Sequence, residues 1–192
     1  MLRKWNYARG ENVKVYSLVY DIYSSHICKV DSEDSSALSS TGTEERTLAM
    51  IKPDGLSGNY TDQIKIIILE SGFNIVSEKM FQLDAESAAI FYAEHSGRSF
   101  FPSLIKYMTS GPVYTMILEK SDAISHWRAL IGPTDARKAK VTHPNSMRAI
   151  CGSDSQRNCV HGSDSPQSAA REISFSSESC QLEFQHMMNF RN

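Results

Sequence analysis

The sequence lacks the features that mark a membrane span, a secretory leader or a zinc site. Its apolar runs are all short, and none approaches the roughly 18 consecutive residues that a transmembrane helix needs. The basic residues near the N-terminus are not followed by an apolar segment, so no secretory signal is predicted. The four cysteines are irregularly spaced, without a CxxC pair. This usage fits a reducing compartment better than a disulfide scaffold.

A strong net charge is also missing. The formal net charge is -2, from 20 basic and 22 acidic residues. No global field therefore draws the chain to nucleic acid or to an acidic membrane, and we expect neither as a partner.

The sequence does contain a stretch with the composition of a folded domain. Hydrophobic residues make up 41% of the chain and charged residues 22%, as in an average globular protein. We predict an N-terminal extension over 1–45 that ends in a Ser- and acid-rich linker, a domain over 46–175 and an irregular tail over 176–192. A cytoplasmic location is expected. Basic residues outnumber acidic ones at the N-terminus, so an organellar transit peptide is the alternative.

Strand and helix patterns alternate within the predicted domain. Strands are predicted at 47–51, 73–81 and 113–118, with at most one more in residues 1–30. Helices are predicted to begin at Thr61 or Asp62, at Asp84, at Phe101, at Ser121 or Asp122 and at Ser168. This alternation predicts a two-layer α/β sandwich, and periodicity alone leaves open whether its strands are parallel or antiparallel.

His161 is the first candidate for chemistry. It lies in the segment RNCVHGSDS, where the following glycine and serine predict a tight turn that exposes the ring. An imidazole with a pKa of about 6.5 is largely neutral at pH 7 and can act as a nucleophile or a base. The alternative is a loop histidine that is hydrogen-bonded to Ser163 or Asp164 and has no chemical task.

Basic side chains provide a second signal. Lys52 follows a predicted buried strand and precedes turn residues, a position where α/β folds display ligand contacts. Residues 128–148 contain several basic side chains but only one acid, Asp135; they are Arg128, Arg137, Lys138, Lys140 and Arg148. A basic segment within a nearly neutral domain favours a small polyanion over a duplex. The alternatives are a lysine that merely reaches solvent and a solvated surface loop.

Taken together, these segments resemble the nucleoside diphosphate kinase family from Arg46 to Phe175. The matching segments are ERTLAMIKPDG, FFPSLIKYMTSGP, the Gly132-Pro133-Thr134 turn, and RNCVHGSDS followed by AAREIS. Several dispersed motifs at matching separations are far more specific than any one of them. The Gly132-Pro133-Thr134 turn and the stretch AKVTHPNSMRAICGSD look most like a divergent branch of that family.

The resemblance implies a role for each matching residue. The phosphohistidine falls on His161, the acid that orients its ring on Glu172, and a nearby hydroxyl on Ser163. Nucleotide binding is implied for Lys52, Arg128, Arg148 and Thr134 at the phosphates, Asn158 at the sugar and phosphate end, Phe100 and Leu104 at the base, and Tyr92 as the active-site tyrosine.

The resemblance also implies an activity and a fold. The activity is transfer of the γ-phosphate of ATP or another nucleoside triphosphate to a nucleoside diphosphate, in ping-pong fashion and with little base preference. Mg²⁺ is expected to arrive on the nucleotide phosphates rather than in a protein-built site. The implied fold is α+β, a ferredoxin-like antiparallel sheet in a two-layer sandwich.

Three departures from the family pattern keep other readings open. The loop between Thr134 and Arg148 is longer than in typical members, the segment after Glu172-Ile173-Ser174 differs, and residues 1–45 match nothing in the family core. A homo-oligomer is compatible with the resemblance, whereas the altered loop and tail argue against the family's common hexamer. The alternative function is a weakly active or inactive nucleotide-binding scaffold. A nuclease has little direct support.

Overall fold

Four strands form one sheet in the computed structural model, which describes residues 44–189. The strands are β1 (Glu45–Ile51), β2 (Asn74–Phe81), β3 (Val113–Lys120) and β4 (Val160–Gly162). Their order across the sheet is β2-β3-β1-β4, and every neighbouring pair is antiparallel. The antiparallel sheet that the family resemblance implied is confirmed.

Helices connect and cover these strands. They are α1 (Pro53–Ser57), α2 (Thr61–Glu70), α3 (Ala85–Phe91), α4 (Phe101–Met108), α5 (Ala123–Ile131), α6 (Ala136–Thr142), α7 (Met147–Cys151) and α8 (Pro166–Asn189), and a 3-10 turn lies at Ala93–His95. The order β1-α2-β2-β3-α5-β4 is that of a ferredoxin-like α+β fold, with α3 and α4 inserted between β2 and β3. The predicted fold class is therefore confirmed.

The apolar core lies on both faces of β1. Its buried residues alternate, so Ala49 and Ile51 join the core that α2 and α5 cover, whereas Leu48 and Met50 join the core beside α3 and α4. All four are fully buried, which explains the continuous apolar run in this strand. β1 therefore runs through the interior, and the residue that follows it, Lys52, is held at a fixed place.

Local signals decide some of the helix ends. The helix predicted to open at Asp84 does so, because the Asp84 carboxylate accepts a hydrogen bond from the Ser87 N–H at 2.7 Å. The helix predicted to begin at Thr61 or Asp62 does begin at Thr61, but Tyr60 occupies the cap position and makes no side-chain hydrogen bond there. Asp122 lies at the cap position of α5, also without a side-chain cap.

Several predictions differ from the structure between residues 132 and 163. The turn predicted around His161 is instead the short strand β4, which pairs with β1. The segment predicted as a basic loop contains the helices α6 and α7. β4 has only three residues, and α6 buries little besides Ala136 and Ala139, so neither element has a periodicity that a sequence pattern can detect.

The sequence predicts an N-terminal extension over 1–45 and an irregular C-terminal tail over 176–192. α8 continues to Asn189, so the segment predicted as an irregular tail from residue 176 is helical up to that point. It contains no glycine or proline between Gln167 and Asn189 to end the helix. The strand considered within residues 1–30, and all of the predicted extension except residues 44–45, lie outside the described residues. Within residues 44–189, no helix is both long and apolar enough to cross a membrane.

A disulfide joins Cys151 at the end of α7 to Cys159, which immediately precedes β4. The irregular cysteine spacing favoured a reducing compartment over a disulfide scaffold and did not indicate this bond. The Cα atoms of the two cysteines lie 5.7 Å apart, and the residues are separated by 8 positions in sequence. The bond is a local link between two short elements of the site rather than part of a scaffold.

Candidate active site

A cleft of about 450 Å³ brings the predicted site residues together. Its volume is in the range of small-molecule binding sites. The predicted residues that line it are Lys52, Tyr92, Phe100, Leu104, Arg128, Thr134, Arg148, Asn158, His161 and Glu172. Ser163, the remaining predicted residue, is fully buried and hydrogen-bonded to Glu172.

Close packing between β4 and α5 holds His161 in place. The residue lies opposite Met50 of β1, and its carbonyl accepts a hydrogen bond from the Trp127 indole N–H at 3.2 Å. Gly162 makes this approach possible, because a Cβ at that position would lie 2.4 Å from the indole ring. The His161 side chain is 20% exposed, so the ring is accessible from the cleft while its backbone is fixed.

A buried carboxylate orients the His161 ring. His161 Nε2 lies 2.9 Å from Glu172 Oε2, and Ser163 Oγ donates to the same oxygen at 2.8 Å. The Leu48 N–H in turn donates to Ser163 Oγ at 3.2 Å, which links the pair to β1. In the neutral imidazole, the hydrogen bond to this carboxylate favours the proton on Nε2 and leaves Nδ1 its lone pair.

Aromatic side chains surround the same ring. The ring centroids of Phe91 and Tyr92 lie 5.3 and 6.0 Å from that of His161, both in edge-to-face geometry. Burial raises the pKa of the Tyr92 phenol, and the charge of Glu172 adds to this effect. The Tyr92 hydroxyl is buried and has no hydrogen-bond partner within the described part of the chain. It is therefore protonated at neutral pH and makes no hydrogen bond to a described residue.

Lys52 forms the inner wall of the cleft. Its Nζ donates to Asn158 Oδ1 at 2.7 Å and to the Gln156 carbonyl at 3.3 Å, and the residue is 5% exposed. Burial, together with the neighbouring charge of Arg148, lowers the pKa of Lys52 to about 8. The Asn158 amide nitrogen donates to the Thr134 carbonyl at 2.8 Å, so one side chain links Lys52 to the 132–135 turn.

The arginines complete a cationic cluster, the name we give to Lys52, Arg128 and Arg148. Arg148 donates to the carbonyls of Gly132 at 2.7 Å and Val160 at 3.2 Å, while its Nε is buried without a hydrogen-bond partner among the described residues. Burial, with the charge of Arg128, lowers the pKa of Arg148 to about 10. Both buried cations are therefore still charged at pH 7, and a polyanion is the ligand that best matches them.

Phe100 and Leu104 form an apolar part of the cleft lining, which we call the apolar slot. Phe100 is 47% exposed although it is a large aromatic residue, whereas Leu104 is buried. The ring of His95 lies 5.7 Å from that of Phe100 and 6.3 Å from that of Tyr92. An exposed aromatic face beside a buried leucine suits stacking of a planar heterocycle.

Several cleft residues were missed by sequence reasoning. Among them are His95, Gln156, and the ion pair between Glu94 and Arg171 at the rim. Gln156 stands one position before the recognisable segment RNCVHGSDS, so the motif could not single it out. In the described part of the chain, no group of three or more His, Cys, Asp or Glu side chains is arranged to hold a metal ion.

Comparisons with known proteins agree with this geometry. A family model described as nucleoside diphosphate kinase matches residues 45–181. A probable nucleoside diphosphate kinase 5 from Arabidopsis thaliana is 68% identical over 126 residues, which cover 66% of this chain and 88% of that protein. A human nucleoside diphosphate kinase homolog 5 is 48% identical, and the match covers 68% of this chain but 61% of that longer protein.

Solved structures give the same result. An Aquifex aeolicus nucleoside diphosphate kinase superposes with a TM-score of 0.68 at 44% identity, covering 69% of this chain and 94% of that chain. A nucleoside diphosphate kinase from Halobacterium salinarum in complex with CDP superposes with a TM-score of 0.65 at 36% identity, covering 69% and 86% of the two chains. This chain belongs to the nucleoside diphosphate kinase family.

Proposed function

We propose that this chain transfers the γ-phosphate of a nucleoside triphosphate to a nucleoside diphosphate through a phosphohistidine at His161. One observation carries the proposal. Glu172 holds Nε2 of His161 at 2.9 Å, so the other ring nitrogen is an unprotonated nucleophile in a cleft that also contains the cationic cluster. Membership of the family and the CDP complex of the halophilic relative support a nucleotide as the ligand.

The reaction takes two steps, in which the phosphoryl group moves first onto His161 and then off it. In the first, the Nδ1 lone pair of His161 forms a bond to the γ-phosphorus, the bond from that phosphorus to the β,γ-bridging oxygen breaks, and the nucleoside diphosphate leaves with the electron pair. In the second, a terminal phosphate oxygen of the acceptor diphosphate bonds to the phosphorus, and the N–P bond breaks. The electron pair then returns to Nδ1. The proton on Nε2 stays hydrogen-bonded to Glu172 throughout.

The cationic cluster supplies the electrostatic part of catalysis. Phosphoryl transfer spreads negative charge over the phosphate oxygens, and preorganised donors in a cleft stabilise that charge without reorganising. Lys52 and Arg148 are already fixed by hydrogen bonds to the protein, which meets this requirement. Mg²⁺ bound to the nucleotide phosphates would neutralise part of their charge, without a protein-built site.

Base tolerance follows from the apolar slot. Stacking on Phe100 accepts the flat face of any base, so discrimination among nucleotides should be small. Because one cleft serves donor and acceptor in turn, double-reciprocal plots should give the parallel lines of ping-pong kinetics.

Labelling with γ-³²P-ATP tests the proposal. The wild-type protein should acquire acid-labile, base-stable label that GDP chases into GTP, and His161→Ala should acquire none. His126→Gln is the matched control, because His126 is exposed on α5 and does not line the cleft. It should label as the wild type does.

Two outcomes would contradict phosphoryl transfer through His161. Binding of ADP by the wild type without any labelling would indicate a nucleotide-binding scaffold instead. Label that persists in His161→Ala would place the acceptor group elsewhere.

A further inference from the structure

The side chain of Gln156 joins two parts of the cleft that are distant in sequence. Its Oε1 accepts a hydrogen bond from Ser103 Oγ at 3.0 Å, and its Nε2 donates to the Ser103 carbonyl at 2.9 Å. Ser103 lies in the first turn of α4, 53 positions earlier in the chain. Two hydrogen bonds of opposite direction to one residue fix both the position and the rotation of the amide.

The turn held in this way carries the apolar slot. Phe100 is the N-cap residue of α4, and it provides no side-chain cap. Ser103 Oγ lies 2.8 Å from the Phe100 carbonyl, and since a hydroxyl has one proton, that proton is shared between Phe100 and Gln156. Leu104, the next residue, is buried at 6% exposure. Gln156 thus holds the turn that positions both residues of the slot.

The backbone of Gln156 is fixed by a second set of hydrogen bonds. Its N–H donates to Asp154 Oδ1 at 2.7 Å, and its carbonyl accepts from Lys52 Nζ at 3.3 Å. These bonds belong to the backbone, so they persist when the side chain is shortened. One residue therefore contacts the cationic cluster through its backbone and the turn of the apolar slot through its side chain.

The far end of α4 has a separate attachment. The Tyr107 hydroxyl donates to Asp54, whose other carboxylate oxygen accepts from the Cys159 N–H at 3.0 Å. Loss of the Gln156 amide should therefore loosen the first turn of α4 while the rest of the helix stays in place.

We infer that Gln156 is a positioning residue that sets the spacing between the apolar slot and the cationic cluster. The inference rests on the proposed nucleotide site but not on phosphoryl transfer. A ligand that contacts both the apolar slot and the cationic cluster, such as a nucleoside diphosphate, binds more tightly when the spacing between them is fixed. A polyphosphate that carries no base does not.

Calorimetric titration with ADP and with inorganic tripolyphosphate separates these ligands. Gln156→Ala should weaken ADP binding about tenfold, because the first turn of α4 must then be ordered as ADP binds, and should change tripolyphosphate binding by less than about twofold. Ser103→Ala removes one of the two bonds and should weaken ADP binding about threefold. The ADP affinity of the double variant should lie within about twofold of that of Gln156→Ala, because the two residues act as one unit.

Kinetics provide a second readout. In the phosphotransfer assay, Gln156→Ala should raise KM about tenfold and leave kcat within about twofold. Gln82→Ala is the matched control, since Gln82 is an exposed glutamine whose amide donates to the Thr109 carbonyl at 3.0 Å, at the other end of α4. It should change neither ADP binding nor KM.

Two results would overturn the inference. One is an equal loss of ADP and tripolyphosphate affinity in Gln156→Ala, which would assign its effect to the cationic cluster. The other is unchanged ADP affinity in a variant whose thermal unfolding matches that of the wild type. If the wild type binds ADP but acquires no label, the proposed transfer fails while the ADP titrations still decide the role of Gln156.

Discussion

Replacing Glu172 by glutamine tests whether a buried carboxylate prepares His161 for attack. The substitution keeps the shape of the side chain but removes the charge that accepts hydrogen bonds from His161 Nε2 at 2.9 Å and from Ser163 Oγ at 2.8 Å. The glutamine NH₂ group can also donate to Nε2, which would move the ring proton to Nδ1 and block its lone pair.

The geometry around Glu172 determines how much transition-state stabilisation the substitution removes. As the N–P bond forms, the imidazole gains positive charge, and a carboxylate centred about 4 Å away stabilises a full unit charge by about 4 kcal/mol at an effective dielectric constant of about 20. Only part of that charge has developed in the transition state. We therefore expect Glu172→Gln to lose about 2–3 kcal/mol, which corresponds to about 30- to 150-fold in rate.

Rapid-quench measurement of a single turnover with γ-³²P-ATP gives this rate directly. The affinity for ADP should stay within about threefold, because Glu172 acts on the ring rather than on the nucleotide. Glu86→Gln, an exposed change on α3, is the control and should label at the wild-type rate. Labelling of Glu172→Gln at the wild-type rate would refute the reasoning. So would a slower rate explained entirely by weaker ATP binding.

Three further predictions concern charge, packing and the disulfide. Burial lowers the pKa of Lys52 to about 8, and a bound polyphosphate favours the charged form. This contribution to ADP affinity, measured by calorimetry, should therefore level off about one pH unit below 8 and fall up to tenfold per pH unit above 8, but not in Lys52→Met. Gly162→Ala should lower the free energy of unfolding by about 1–3 kcal/mol, because the new Cβ meets a buried indole, whereas Gly97→Ala, with nothing within 4 Å, should have little effect in the same denaturant titration. Reduction of the Cys151–Cys159 bond opens a loop of 8 positions that constrains the unfolded chain, so it should lower the free energy of unfolding by about 2.5 kcal/mol. Cys151→Ser, which cannot form the bond, should show no such change on adding reductant.

The sequence predicted those parts of the fold whose signal is local. The apolar run of β1 and the Asp84 cap of α3 each depend on neighbouring residues, so both predictions agree with the structure. β4 is different, because its three residues are ordered by pairing with β1, more than a hundred positions away. A local pattern of glycine and serine therefore indicated a turn where tertiary pairing imposes a strand.

The candidate site shows the same division. The family resemblance identified residues that the structure brings into one cleft. It gives no information about residues outside the matching motifs, such as Gln156. The amide of Gln156 meets Ser103 only because α4 folds back over the 152–159 loop. The pairing of Cys151 with Cys159 likewise depends on where α7 ends relative to β4, which the spacing of the cysteines in the sequence does not reveal.

The cationic cluster is better understood as half of an ion-paired site than as a support of the fold. Burial lowers the pKa of Lys52 to about 8 and that of Arg148 to about 10, so the free protein disfavours the charges that it holds at pH 7. The unfolded chain holds the Lys52 proton more tightly, and stability from this group should therefore rise as pH increases from about 8 to 10.5. A bound polyphosphate reverses this balance, because it favours the charged forms. At a hundredfold excess over its Kd, such a ligand stabilises the fold by about 2.7 kcal/mol. The chain thus gives up stability in the free state to keep a cleft whose charges are already arranged for phosphate.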